Sequence, residues 1–104
     1  MATLKIEHPH GLSDGDAKAR AMALGDYLQS KHGLTVSWEG GRARISGRYL
    51  VVTIEGTVDV RPGVVVFEGK DPGLMWRNKA RTYLERKLAT YLDPGTPLES
   101  LPRH

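Results

Sequence analysis

The stretch "RYLVVTIEGTVDVRPGVVVFEG", Arg48 to Gly69, decides the fold. It is rich in β-branched residues, which crowd a helix but pack well on a pleated surface. On an extended chain Leu50, Val52 and Ile54 share one face, opposite Tyr49 and Val51. Gly56 reads as a bulge or break, after which Val58 and Val60 continue the pattern. "RPG" fits a type II turn, with proline fixing φ at its second position and glycine taking positive φ at its third. "VVVFEG" then returns antiparallel.

Upstream of this hairpin the chain is also β. "LTVSW" places Leu34, Val36 and Trp38 on one face, "EGGR" is a hairpin turn, and "ARISG" follows with Ala43 and Ile45 in register. Near the N-terminus "TLKIEH" alternates, with Leu4 and Ile6 on one side of a short first strand. Between these lies "SDGDAKARAMALGDYLQSKHG", which reads as a helix with both ends marked. Ser13 is the N-cap, Asp16 stands three residues later in a capping-box-like arrangement, and Asp14 and Asp16 suit the positive end of the dipole. Ala17, Ala21, Leu24 and Leu28 form a narrow apolar stripe whose alanines allow close approach to a sheet. Lys31 and His32 occupy the last turn, and Gly33 takes the left-handed conformation that ends it.

Downstream, "DPGLMWRNKARTYLERKLATYLDPG" reads as a second helix, with Asp71 as cap and Pro72 at the first helical position. Trp76, Ala80, Tyr83, Leu84, Leu88 and Tyr91 make a broad apolar face, and Pro94 follows its end. About 21 residues at 1.5 Å each would span roughly 31 Å, enough to cross a small sheet. The element order is therefore β-α-β-β-β-β-α, an α+β fold with an antiparallel sheet and both helices on one of its faces. Residues 1–92 form a single domain in this reading, and 93–104 a flexible C-terminal tail.

Composition narrows the function classes. The 104 residues leave room for one domain and one modest core. There is no cysteine, which excludes disulfides, thiolate metal sites and cysteine nucleophiles. No basic-then-apolar leader and no apolar run near the roughly 18 residues of a membrane span is present, so a cytoplasmic protein is the expectation. Fifteen Lys and Arg against twelve Asp and Glu describe a mixed, solvated surface more than a nucleic-acid binder.

Few residues carry chemistry. His8 and His10 in "HPHGLS" point the same way on an extended strand and are the candidates for sharing a metal ion. A catalytic zinc site takes three protein ligands, and no third group completes a spacing here, so no metal is assigned. His104 lies in the tail. Ser13, His10 and Asp16 can be drawn as a triad, but no nucleophile elbow or oxyanion loop accompanies them and Ser13 already serves as a cap. No catalytic residue and no cofactor is assigned, and a non-enzymatic protein is expected. The basic second helix is the candidate interaction surface, through Arg77, Lys79, Arg81, Arg86 and Lys87 with Trp76 beside them. Arg81 and Glu85 are spaced to pair at i,i+4, the mark of an ordinary solvated face. Trp76 and Tyr91 are explained as core residues covering the sheet.

The stretch "PHGLSDGDAKARAMALGDYLQSKHGLTVSWEG" resembles the start of the small bacterial polyhydroxyalkanoic acid system proteins. Pro9, His10, Leu12, Ala17, Ala21, Leu24, Leu28, Gly33, Leu34 and Trp38 match that family's pattern, and "GTVDVRPGVVVFEG" matches its later strands through Gly56, Val58 and Val60. His32 stands where the family has an aromatic, and "KDPGLMWRNKA" departs from its entry into the last helix. The resemblance implies a non-enzymatic accessory or binding protein associated with polyhydroxyalkanoate storage granules, with the granule surface or granule proteins as partners. Two alternatives stay open on the residues: a small-ligand or lipid-binding domain with a cavity between helix and curved sheet, and a weak nucleic-acid binder through the basic last helix. Long strands with unpaired edges also allow a homodimer.

Overall fold

Alternating burial along Thr3–Pro9 (β1) sets Leu4 and Ile6 inward and Lys5 and Glu7 outward, the mark of a strand covered on one face. The computed structural model describes residues 3–49 and 52–103. Leu50, Val51 and His104, which the sequence reading used, lie outside the described residues.

After β1 the chain forms α1 (Asp14–His32), β2 (Thr35–Glu39), β3 (Arg42–Tyr49), β4 (Val52–Arg61), β5 (Val64–Lys70) and α2 (Leu74–Tyr91), then a 3-10 turn at Leu98–Ser100. The five strands make one sheet in the order β1-β5-β4-β3-β2, with every neighbouring pair antiparallel. β1 pairs with the last strand, so α1 carries the chain from one edge of the sheet to the other. The expected α+β order and antiparallel sheet are borne out.

Both ends of α1 form as their residues dictate. The Ser13 hydroxyl accepts from the Asp16 amide at 3.2 Å, and Gly33 closes the helix at φ 69° with its amide bonded to the Gln29 carbonyl. Ala17, Ala21, Leu24 and Leu28 are all buried. At Gly25 the helix comes so near β2 that an added Cβ would lie 3.1 Å from Val36.

Two features of the long hairpin region differ from the sequence reading. Gly47 stays inside β3, and the chain reverses only after Tyr49, which pairs with Val52. Gly56 is not a break, because β4 runs unbroken through it. Gly56 pairs with Gly69 of β5 on one side and Ile45 of β3 on the other, while Gly69 pairs with Leu4 of β1. Two side chains are therefore missing from the middle of one row on the inner face. The Phe67 ring occupies part of that hollow, within 3.1 Å of where either Cβ would stand.

The start of α2 also differs. Pro72 is not its first residue: Gly73, at φ 102°, is the N-cap and Leu74 begins the helix. The Asp71 carboxylate accepts from the Gly73 amide at 2.9 Å and pairs with Arg77 at 2.6 Å, so it braces the turn before the helix. The helix of 18 residues is about 27 Å long.

Residues after 92, set apart from the domain in the sequence reading, pack back onto it. Leu101 joins the buried cluster with Leu88, Tyr91 and Leu92. The Tyr91 hydroxyl donates to the Pro102 carbonyl, and Arg103 pairs with Asp26 of α1 at 2.8 Å. Arg20 anchors the start of this segment. Only 5% exposed, it is held by Asp16 at 3.0 Å and donates to the carbonyls of Tyr91 and Asp93 at 3.2 and 2.8 Å. A guanidinium from α1 thus satisfies carbonyls at the C-terminal end of α2 that have no partner within the helix.

Candidate functional site

The six apolar residues expected along α2 do not share one environment. Leu88 and Tyr91 are buried, whereas Trp76, Ala80, Tyr83 and Leu84 are only half-buried. Beneath these four lies a cavity of about 500 Å³. Its floor is Leu4, Ile45, Ile54 and Phe67 on the inner face of the sheet, and its side is Leu28, His32 and Leu34 at the end of α1. The roof carries a single methyl group at Ala80, and in the floor the Phe67 ring lies in the room left by Gly56 and Gly69.

Exposed Lys79 marks the mouth of the cavity, with Pro72 and Trp76 beside it. Thr53, Glu55 and Lys70 border it from strand positions whose side chains alternate to the other face of the sheet. The Lys79 ammonium stands 5.5 Å from the centre of the Trp76 ring, within cation–π range. Deeper along the same wall, His32 Nε2 and the Tyr83 hydroxyl are hydrogen-bonded at 2.8 Å. Burial, with Lys31 and Lys87 nearby, lowers the His32 pKa from its ordinary value and favours the neutral imidazole. A mostly apolar enclosure with a few polar groups at its mouth is the usual construction of a site for a small organic ligand, and its volume falls within the usual range.

The structure divides the basic residues that the sequence grouped into two sets. Arg77 pairs with Asp71, Arg81 donates to the Lys5 carbonyl at 3.5 Å, and Lys87 lies 4.4 Å from the Tyr27 ring. The expected Arg81–Glu85 pair does not form among the described residues, because Arg81 reaches the edge strand instead. Lys79, Arg86 and Lys87 border one shallow, open groove along the outer side of α2, with Asn78, Thr82 and Thr90 between them. Arg77 and Arg81 stand apart from that groove. Trp76, read as core, lines the cavity and stands at its mouth.

The two candidate histidines do not come together with a third ligand. His10 is committed at both nitrogens: Nδ1 accepts from the Leu12 amide at 3.2 Å, so Nε2 carries the proton it donates to the Arg61 carbonyl at 3.1 Å. With the His10 amide bonded to Gly63, this ring ties the exit of β1 to the β4–β5 turn. His8 is half-buried on β1. No cluster of three or more His, Asp or Glu able to hold a metal ion occurs among the described residues.

Sequence reasoning missed Pro72 at the mouth, the exposed Leu74 and Met75 at the start of α2, and Arg20. A signal existed for the cavity: the small residue Ala80 in a face otherwise rich in bulk.

No helix among the described residues is long and apolar enough to cross a membrane. The family model described as "Putative polyhydroxyalkanoic acid system protein" matches residues 4–94, nearly the whole packed unit, and bears out the resemblance read from the sequence. No curated protein matches the chain, and no solved structure does.

Proposed function

The chain belongs to the polyhydroxyalkanoic acid system family, and we propose that it serves that system as a non-enzymatic, cytoplasmic binding protein. In this reading the cavity beneath α2 takes the apolar chain of a hydroxyalkanoate, free or at the end of a polymer on a granule. The observation that carries the proposal is the cavity of about 500 Å³ between sheet and helix, lined mainly by aliphatic and aromatic side chains. Enclosing apolar chain there removes its surface from water, at roughly 25 cal/mol per Å². Lys79 at the mouth suits a carboxylate or ester oxygen. A binding role is favoured over a catalytic one by the position of the polar groups. Most stand in solvent at the mouth, away from where the chain would lie.

The test is calorimetric titration with hydroxydecanoate, paired with co-sedimentation on purified granules at low salt. Saturable binding is expected, and Ala80→Leu, which adds bulk to the roof, should weaken it about tenfold or more. A protein that stays wholly in the supernatant and gives no heat with hydroxydecanoate overturns the reading.

A further inference from the structure

The first turn of α2 carries the most exposed large apolar residues of the described chain. Leu74 is 82% exposed and Met75 is 80% exposed. They are consecutive, so on a helix they point about 100° apart and make an apolar tip. The stripe that would serve a partner helix is missing. Three and four residues on from Leu74 stand Arg77 and Asn78, and from Met75 stand Asn78 and Lys79. Apolar residues come first and basic residues one turn later.

Lipid surfaces have that same order in depth. From Leu74 to Lys79 the helix rises about 7.5 Å, which matches the roughly 5–10 Å that interfacial elements bury below the headgroups. Trp76 lies between the two layers, half-buried, with the Lys79 ammonium over its ring. An indole with one polar edge suits that boundary. Of the carboxylates nearby, Asp71 is engaged by Arg77 and the Gly73 amide, and Glu55 alternates with inward Ile54 and so leaves from the opposite face of the sheet.

We propose that the N-terminal tip of α2 docks the protein on an anionic lipid surface, with Leu74 and Met75 among the acyl chains and Lys79 at the headgroups. Because Trp76 and Lys79 also border the cavity, the docked tip sets the cavity mouth against the lipid. The docking does not depend on what the cavity holds, since the tip lies outside it.

The experiment is flotation of the full chain with vesicles of phosphatidylglycerol and phosphatidylcholine mixed equally, against vesicles of phosphatidylcholine alone. Binding to the mixed vesicles is expected, weakened at high salt, with little to the neutral ones. The Leu74→Ser, Met75→Ser double variant should lose about a hundredfold in partitioning. Lys79→Gln should lose about fivefold on the anionic vesicles. Both apolar residues are exposed, so the double variant should melt with the parent, which separates docking from folding. Absence of binding to anionic vesicles, or undiminished binding by the double variant, overturns the proposal. So does a self-associated parent that the double variant returns to monomer without any vesicle binding, because a second copy would then be the occupant. Hydroxydecanoate titration in vesicle-free buffer reads the cavity alone, so loss of docking and loss of ligand binding remain distinguishable.

Discussion

The two ends of α2 are made of similar residues and are held in opposite ways. At the C-terminal end Leu88, Tyr91 and Leu92 are buried, Leu101 packs over them, and Arg20 binds the last carbonyls. At the N-terminal end Trp76, Ala80, Tyr83 and Leu84 roof an open cavity, and Leu74 and Met75 stand in water. The contrast shows that one amphipathic face can divide its work. One half contributes stability by close packing, and the other leaves apolar surface uncovered, which costs stability and is available to a ligand.

The sharpest way to break this comparison is to shorten one leucine at a time. Leu88→Ala should cost about 2–5 kcal/mol, because it removes buried methyl groups and leaves a new void. Leu84→Ala, already facing the cavity, should cost about half as much. Chemical denaturation of both variants gives the ratio, and equal losses would erase the distinction between the two ends. Next in size is Arg20→Met. It fills similar space but strips the donors from the Tyr91 and Asp93 carbonyls. About 1.5–3 kcal/mol should be lost, read in the same denaturation series.

How much of this was legible in the sequence depends on whether the signal was local. Ser13 and Gly33 act on amides within one helical turn, and Leu4 and Ile6 alternate along one strand, so α1 and β1 were readable. The start of α2 was misread because Asp71 and Pro72 look like a cap and first position. Gly73 instead takes a positive φ and moves the helix two residues on. Arg20 was invisible because the carbonyls it serves lie more than 70 residues away in the chain. The cavity was hardest of all. Its roof at Ala80 and Leu84 and its floor at Ile54 and Phe67 meet only in the folded sheet and helix, and Gly56 and Gly69 leave the room that the Phe67 ring takes.

That account of the floor can itself be sharpened. A Cβ on Gly69 would stand 2.8 Å from the Glu55 carbonyl and 3.0 Å from the Phe67 ring. Gly69→Ala should therefore cost about 1–3 kcal/mol and shift Phe67 in the cavity floor, seen as a lowered melting temperature with a changed Phe67 ring environment by NMR. A stable variant with an unmoved ring would show that the glycine pair does not shape the space.

The smallest effect concerns His32, at the boundary between the two halves. Its folded pKa is lowered from 6.5 by burial and by Lys31 and Lys87. The unfolded chain therefore binds the extra proton first as pH falls. The contribution is complete above pH 6.5 and is lost as the pH drops through the lowered folded value. Melting temperatures at pH 7.5 and 5.5 should fall further in the parent than in His32→Gln. Parallel losses would assign the pH dependence to other groups.

The central claim is that the space beneath the N-terminal half of α2 is a binding site, and amide and methyl NMR during hydroxydecanoate titration tests it most directly. The account predicts saturable shifts centred on Ile54, Phe67, Ala80 and Leu84, with Leu88 and Leu101 at the packed end unmoved, and their loss in Ala80→Leu. Shifts scattered over the surface, or shifts that survive in Ala80→Leu, would contradict it.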